Sequence, residues 1–292
     1  MTSTVQSPGS KRTASGADGP QLYGAQRSGR VTLHDLAAAK ERGERWPMLT
    51  AYDAMTARLF DEVGIPVLLV GDSAANVVYG YENTIPITMD ELVPLVAAVA
   101  RSTEHALIVA DMPFGSYQAS PGQALAEAAR FLKEGGAHAV KLEGGQRVLP
   151  QVEALVGAGI PVMGHLGLTP QSVNTLGGYR VQGRGGSGEI LLRDAKALEA
   201  AGAFAVVLEL VPADLAQRVT DALAIPTIGI GAGNGCDAQV NVWQDLVGLT
   251  PEPRPKFIRA YGDVRSIMAD AVRAWSADVV SGQYPSGEQS YH

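Results

Sequence analysis

The same turn from a helix into a strand recurs three times along this chain. It reads Val63-Gly-Ile-Pro66, Ala158-Gly-Ile-Pro161 and Leu223-Ala-Ile-Pro226, and a short apolar run follows each time. A small residue makes the turn, Ile enters the core, and Pro opens the strand at a position where its missing N–H is harmless. Repetition of this unit predicts alternating helices and strands around a parallel sheet.

Eight segments have the apolar character of buried strands, and helical patterns separate most of them. They cover residues 47–51, 66–71, 106–111, 138–143, 161–165, 204–209, 226–230 and 245–249. With 292 residues, the chain is close to the roughly 250 typical of a (β/α)8 barrel. The count favours an α/β fold of this TIM type over an open doubly wound sheet, which the sequence alone leaves open.

The two ends of the chain differ in composition from its middle. Residues 1–30 are rich in Ser, Gly and Thr and predict a disordered tail, and residues 281–292 predict a second one. We expect a single barrel domain over 31–280. It would begin with a helix at 32–42 and end with a helical extension at 258–275, packed on the barrel or on a neighbour.

Charge and hydropathy exclude several classes of partner. The formal charge of -7 and the lack of a basic run argue against nucleic acid. The longest apolar run, Leu92 to Ala100, is far shorter than the ~20 residues of a membrane helix. Cys236 is the only cysteine, so there is no internal disulfide, and a reducing, cytoplasmic setting fits.

Polar residues collect where the predicted apolar strands end, and in a barrel these ends converge on one mouth. They are Asp72, Ser73, Asp111, Lys141, Glu143, His165 and Glu209. Two loops, 72–88 and 167–188, are longer than a bare barrel needs and belong to the same face. We therefore expect the chemistry at this mouth.

Four carboxylates in one mouth repel one another by about 4 kcal/mol per close pair at an effective dielectric of 20. A bound divalent cation would remove this conflict. Oxygen ligands without cysteine favour Mg2+ over Ca2+. His165 leaves Zn2+ or Mn2+ open as alternatives.

Each of these residues also has a structural interpretation. Asp72 could cap a loop, Asp111 could be a turn acid, Lys141 could pair with an acid, and His165 could be a hydrogen-bonded core histidine. Glu209 is harder to explain in this way, because the apolar residues around it would make its carboxylate a stronger base. We therefore interpret Glu209 as a general base.

The glycine-rich stretch from Gly229 to Gly235 superficially suggests a dinucleotide-binding loop. Asn234 stands where the third glycine of that motif belongs, and no βαβ pattern follows. We predict instead a close backbone approach that opens the mouth to a substrate.

Several motifs, in order, carry a resemblance to a known family over Val31 to Ala271. They are VGDS, ADMPFGSY, VKLEGG, MGHLGLTPQS, GGYRVQGR, VLELVP and IGIGAG. In these motifs the chain resembles the ketopantoate hydroxymethyltransferases, which implies a barrel of the phosphoenolpyruvate/pyruvate kind. It also implies transfer of a one-carbon unit from 5,10-methylenetetrahydrofolate to 3-methyl-2-oxobutanoate, and a ring-built homo-oligomer, a decamer.

The resemblance assigns roles to the residues at the mouth. Asp72 and Asp111 would hold Mg2+, with Glu143 acting directly or through a water. Ser73 and Lys141 would bind the substrate carboxylate, and Glu209 would remove the C3 proton. His165 would orient substrate or metal waters. The alternatives are a Mg2+-dependent carbon–carbon lyase or phosphonomutase of the same barrel type, and a non-catalytic metabolite-binding barrel.

Overall fold

Eight parallel strands close into a barrel in the order of the sequence, with the last strand paired to the first. The computed structural model describes residues 21–24, 29–178 and 180–291. The strands are β1 (Trp46–Thr50), β2 (Val67–Val70), β3 (Leu107–Asp111), β4 (Ala139–Glu143), β5 (Val162–Gly167), β6 (Ala205–Glu209), β7 (Thr227–Ile230) and β8 (Ala238–Asn241). The predicted (β/α)8 barrel is confirmed.

Helices lie before the first strand, between most strands and after the last one. They are α1 (Leu33–Glu41), α2 (Ala54–Glu62), α3 (Ala74–Val77), α4 (Met89–Arg101), α5 (Pro121–Lys133), α6 (Leu149–Gly157), α7 (Val173–Leu176), α8 (Ser187–Ala200), α9 (Ala213–Ala222), α10 (Trp243–Leu246) and α11 (Val264–Ser281). Side-chain caps define several starts: Asp53 accepts the N–H groups of Met55 and Thr56, each at 2.9 Å, at the start of α2.

The barrel interior is apolar below the mouth because inward-facing positions alternate along each strand. Val109, Met163 and Val207 are buried there, two residues before the polar Asp111, His165 and Glu209 on the same strands. The sequence therefore fills the barrel with hydrocarbon and leaves a polar ring at its C-terminal end.

The position predicted for the eighth strand, 245–249, is wrong. The strand is Ala238–Asn241, and residues 245–249 contain the end of α10 and a turn. Gln239 is exposed in β8 and Asn241 is only half-buried, so this strand lacks the continuous apolar run that marked the others. The run of Leu and Val just after it gave a stronger but misleading signal.

The C-terminal helix also differs from its prediction at 258–275. Helix α11 begins six residues later, after Asp263 accepts the N–H of Ser266, and it contains no buried residue. It does not pack on the barrel of its own chain. Among the described residues, no helix is long and apolar enough to cross a membrane.

The predicted N-terminal tail, 1–30, is partly described. Residues 1–20 and 25–28 lie outside the described part of the chain. Leu22 is buried, and the Arg30 guanidinium donates to the carbonyl oxygens of Ala106 and Thr103 at 2.6 and 2.7 Å. Leu22 and Arg30 thus contact the rest of the chain, and the disorder predicted for the tail as a whole stays a prediction. At the other end, residues 282–291 are exposed and contain one 3-10 turn, Gly287–Gln289.

Candidate active site

Strand register alone brings most of the predicted site residues together. Asp111 of β3 pairs with Lys141 of β4, and Glu143 of β4 pairs with His165 of β5. Glu209 pairs with Gly167 one strand further on. Residues far apart in sequence thus become direct neighbours at the C-terminal end of the barrel.

A cavity of about 170 Å3 opens at this end, and all seven predicted residues line it. Its lining divides into two halves. One half, at the ends of β2 to β5, carries the charged residues other than Glu209, which ends β6. The other half is largely apolar and is formed by Val207, Ile230, Val240 and Val242, with Leu69 added from β2. A larger cavity of about 550 Å3 lies near the N-terminal strand ends, and none of the predicted site residues lines it.

Lys141 is the central cation of the polar half. Its ammonium lies 2.8 Å from Asp111 Oδ1, and the Asp72 backbone N–H donates to Asp111 Oδ2 at 3.1 Å. Burial by itself lowers the pKa of Lys141, but Asp111, Glu143 and Asp72 outweigh it and raise that pKa above its usual value. Lys141 is therefore charged at neutral pH.

Burial and nearby carboxylates disfavour the ionised forms of Asp72 and Asp111. Burial and the charge of Glu143 raise the pKa of Asp72 to about 6, although Lys141 and Gln171 act in the opposite direction. Burial, opposed by Lys141 and reinforced by Asp72, raises the pKa of Asp111 to about 6 as well. A further positive charge at this point would stabilise both carboxylates.

His165 lies between the two glutamates. Its Nδ1 is 3.4 Å from Glu143 Oε1, and its Nε2 is 3.3 Å from Glu209 Oε2. Burial and Lys141 both lower the pKa of His165, but its contacts with Glu143 and Glu209 raise it overall, to about 9. Lys141 Nζ lies 3.1 Å from His165 Nδ1, and this nitrogen accepts from the ammonium when it carries no proton, so Lys141 and His165 belong to one buried network.

Sequence reasoning missed three residues that support this site. Gln171 and Tyr117, both buried, contact Asp72 and Glu143 from loops that follow other strands. The Tyr52 hydroxyl lies 2.8 Å from Ser73 Oγ. Gln171 stands within a motif that carried the resemblance, but no spacing rule connects a glutamine to an aspartate 99 positions away.

The residues present suit a hard divalent cation, although they do not surround a single point. Within the described residues, no three His, Cys, Asp or Glu side chains form a ready group of metal ligands. Asp72 and Asp111 are the acids linked most directly, whereas Glu143 is held by Gln171. Four carboxylates set against one lysine and one histidine leave formal negative charge in excess. A cation with two protein carboxylates and several waters matches the coordination preferred by Mg2+.

Solved structures share this fold at low sequence identity. Phosphonopyruvate hydrolase, solved as a complex with oxalate and Mg++, aligns with a TM-score of 0.57 and 13% identity over 88% of this chain and 92% of its own. A 2,3-dimethylmalate lyase of the PEP mutase/isocitrate lyase superfamily aligns with a TM-score of 0.54 and 16% identity over 89% and 91%. These similarities establish the barrel type.

Curated relatives are far more similar in sequence. A 3-methyl-2-oxobutanoate hydroxymethyltransferase of Frankia casuarinae is 70% identical over 90% of this chain and 88% of its own. One of Thermobifida fusca is 64% identical over 93% and 97%. The family model described as ketopantoate hydroxymethyltransferase matches residues 30–287. The chain therefore belongs to the ketopantoate hydroxymethyltransferase family.

Proposed function

We propose that this enzyme transfers a hydroxymethyl group to 3-methyl-2-oxobutanoate and forms ketopantoate, a precursor of pantothenate and coenzyme A. The proposed one-carbon donor is 5,10-methylenetetrahydrofolate. The names of relatives that are 58 to 70% identical support the transfer and its acceptor. The donor follows from the family resemblance of the sequence motifs.

The observation that carries the proposal is the position of Glu209. This residue ends β6 between the charged half of the cavity and the apolar half, and its side chain is 16% exposed. In 3-methyl-2-oxobutanoate, C3 lies between a polar 2-oxo acid and two methyl groups. With the oxo acid in the charged half and the methyl groups against Val207 and Ile230, C3 comes to Glu209.

Lys141 and Ser73 are the proposed partners of the substrate carboxylate. Lys141 carries three N–H donors, and Asp111 and His165 contact its ammonium without enclosing it, since it lines the cavity. Ser73 also lines the cavity, and Tyr52 holds its hydroxyl. A cation and a hydroxyl on one wall suit a carboxylate.

Asp72 and Asp111 are the residues we propose as direct Mg2+ ligands, with Glu143 acting through a water. When bound, Mg2+ supplies Lewis-acid stabilisation of the negative charge that develops on the oxo oxygen.

Glu209 is the proposed base that accepts the C3 proton. His165 Nε2 lies 3.3 Å from Glu209 Oε2, where it orients the Glu209 carboxylate. The apolar half of the cavity excludes water from the carbanion side of C3. General-base catalysis of this kind contributes about 10² to 10⁴ in rate.

Two assays test the proposal. Purified protein with Mg2+, 3-methyl-2-oxobutanoate and 5,10-methylenetetrahydrofolate is expected to form ketopantoate, and EDTA is expected to stop the reaction. Without the folate, the protein is expected to exchange the C3 proton in D2O. A binding-only barrel would show ligand-induced thermal stabilisation without exchange, and a lyase or phosphonomutase would act without folate.

The homo-decamer implied by the resemblance stays a prediction. Sedimentation equilibrium of the full-length protein is expected to give a mass near ten times the 30.5 kDa chain. A monomer mass would contradict it.

A further inference from the structure

Gln171 makes more contacts with the carboxylate cluster than any role assigned so far explains. It lies in a 3-10 turn, Pro170–Ser172, that follows β5. The residue is buried, with 5% of its surface exposed. Its Nε2 donates to Asp72 Oδ2 at 3.0 Å and to the Met112 carbonyl oxygen at 2.9 Å. Its backbone N–H donates to Glu143 Oε2 at 3.1 Å.

The carboxamide can sit in only one orientation. Its Oε1 accepts from the Tyr117 hydroxyl at 2.8 Å and from Gln118 Nε2 at 3.3 Å. Both N–H donors and both lone-pair sites of the amide are therefore occupied, and a flipped amide would place donors against donors. The orientation of Gln171 is thus determined by four separate groups.

Tyr117 extends the same network to Glu143. Its hydroxyl accepts from the Glu143 backbone N–H at 3.1 Å and lies 3.2 Å from the Glu143 carbonyl oxygen. Burial raises the pKa of Tyr117 well above its usual value, so the hydroxyl keeps its proton. Through Gln171 and Tyr117, one buried set of hydrogen bonds joins the C-terminal ends of strands β2, β3, β4 and β5.

We infer that Gln171 is a positioning residue that fixes the carboxylates of Asp72 and Glu143 in the arrangement that receives the divalent cation. The inference rests on the proposed metal site. The Gln171 carboxamide donates to Asp72, and Gln171 is not among the residues that line the cavity with Glu209, so we expect its effect on cation binding rather than on proton transfer.

Loss of the amide has a defined consequence. In Gln171→Met the side-chain volume is kept, and the backbone N–H still reaches Glu143. Asp72 Oδ2 loses its donor, and the Tyr117 hydroxyl is left with the Glu143 carbonyl oxygen at 3.2 Å as its acceptor. Partners of metal ligands typically contribute about 10- to 100-fold to metal affinity. We expect the Mg2+ dissociation constant to rise by a factor in that range.

The experiment compares Gln171→Met and Tyr117→Phe with Gln182→Ala, in the full-length protein. Gln182 lies in the same connection between β5 and α8, and its side chain donates to the Arg180 carbonyl oxygen at 2.9 Å, away from the carboxylates. Titration calorimetry measures Mg2+ binding, and C3 exchange in D2O at saturating Mg2+ measures proton transfer. Hydrogen exchange of peptides covering 165–175 reports on the network in the metal-free protein.

The expected result is weaker Mg2+ binding in Gln171→Met and Tyr117→Phe, with exchange turnover at saturating Mg2+ within about threefold of wild type. The two changes are expected to be non-additive when combined, because they break one network. Gln182→Ala is expected to bind Mg2+ as the wild type does.

A wild-type Mg2+ dissociation constant in both Gln171→Met and Tyr117→Phe would overturn the inference, and so would an equal loss in Gln182→Ala. Should Gln171→Met fail to fold, Tyr117→Phe decides alone. If the wild type binds no Mg2+, the proposed metal fails. Faster hydrogen exchange at 165–175 in the metal-free Gln171→Met protein would then still support the positioning role, and unchanged exchange would refute it.

Discussion

Replacement of Glu209 by Gln tests the proposed chemistry most directly. Glutamine has nearly the same volume and keeps a carbonyl oxygen toward His165, so the barrel is expected to fold as before. It removes the proton acceptor without opening the cavity. The expected effect is therefore on turnover and not on stability.

The structure indicates how large the loss is. Neighbouring groups are poorly placed to replace Glu209 as a base, because His165 Nδ1 is occupied by Glu143 and Lys141, and Glu143 Oε2 is held by the Gln171 N–H. The loss therefore lies toward the upper part of the usual range for a general base, about 10³- to 10⁴-fold. This corresponds to about 4 to 5.5 kcal/mol of activation free energy.

Proton NMR of 3-methyl-2-oxobutanoate in D2O with Mg2+ measures the exchange at C3 without folate. The matched control is Glu189→Gln, since Glu189 is an exposed residue on α8 that pairs with Arg218 at 2.6 Å. The control is expected to exchange at the wild-type rate. Exchange by Glu209→Gln within about threefold of wild type, with substrate bound normally, would refute the assignment of Glu209 as the base.

Four further predictions concern the cation, specificity and stability. Because the pKa values of Asp72 and Asp111 are raised to about 6, protons compete with Mg2+ below that pH, and calorimetry is expected to show affinity falling as the pH drops from 7 to 5. Ile230→Ala is expected to raise the ratio of kcat/KM for 3-methyl-2-oxopentanoate to that for 3-methyl-2-oxobutanoate by about tenfold, because one methylene in an apolar pocket changes the binding free energy of the transition state by about 1–3 kcal/mol. An unchanged ratio would argue against the apolar half as the site of the methyl groups. Burial and Arg30 lower the pKa of His138 to about 4. The neutral imidazole therefore contributes to stability above pH 6.5, and this contribution is lost as the pH falls toward 4. The melting temperature of His138→Asn is expected to fall less steeply with decreasing pH than that of the wild type. Asp61→Ala removes the acceptor of three backbone N–H groups just before β3, and urea unfolding is expected to show a free energy of unfolding lower by about 2–4 kcal/mol. A decrease below about 0.5 kcal/mol, the size typical of a surface substitution, would contradict this account.

The strand ends were predictable because they depend on local rules. Apolar runs marked seven of the eight strands, and alternation along a strand placed Lys141 and Glu143 on one face. Closure of the barrel then brought these residues together without further information. The eighth strand was not predicted at its true position because β8 is short and exposes Gln239. Its pairing with β1 and β7, and not its composition, makes it a strand.

The supporting residues were not predictable in the same way. Gln171 and Tyr117 belong to loops, and their partners lie 99 and 26 positions away in the sequence. Glutamine and tyrosine at such positions carry no periodic signal, and only the folded loops determine what they contact. Helix α11 was found, but its amphipathic pattern could not show that it would lie free of its own barrel.

The division of the cavity into two halves has a consequence for how such an enzyme can change. Apart from Glu209, the charged residues lie at the ends of β2 to β5, whereas most of the apolar lining, Val207, Ile230 and Val240, comes from β6 to β8. Substitutions on the second set can alter which branched acid is accepted while the charges that perform the reaction stay in place. Directed evolution for new 2-oxo acids can therefore be confined to β6, β7 and β8. Glu209, the last residue of β6, is the position in these strands that a mutant library must leave unchanged.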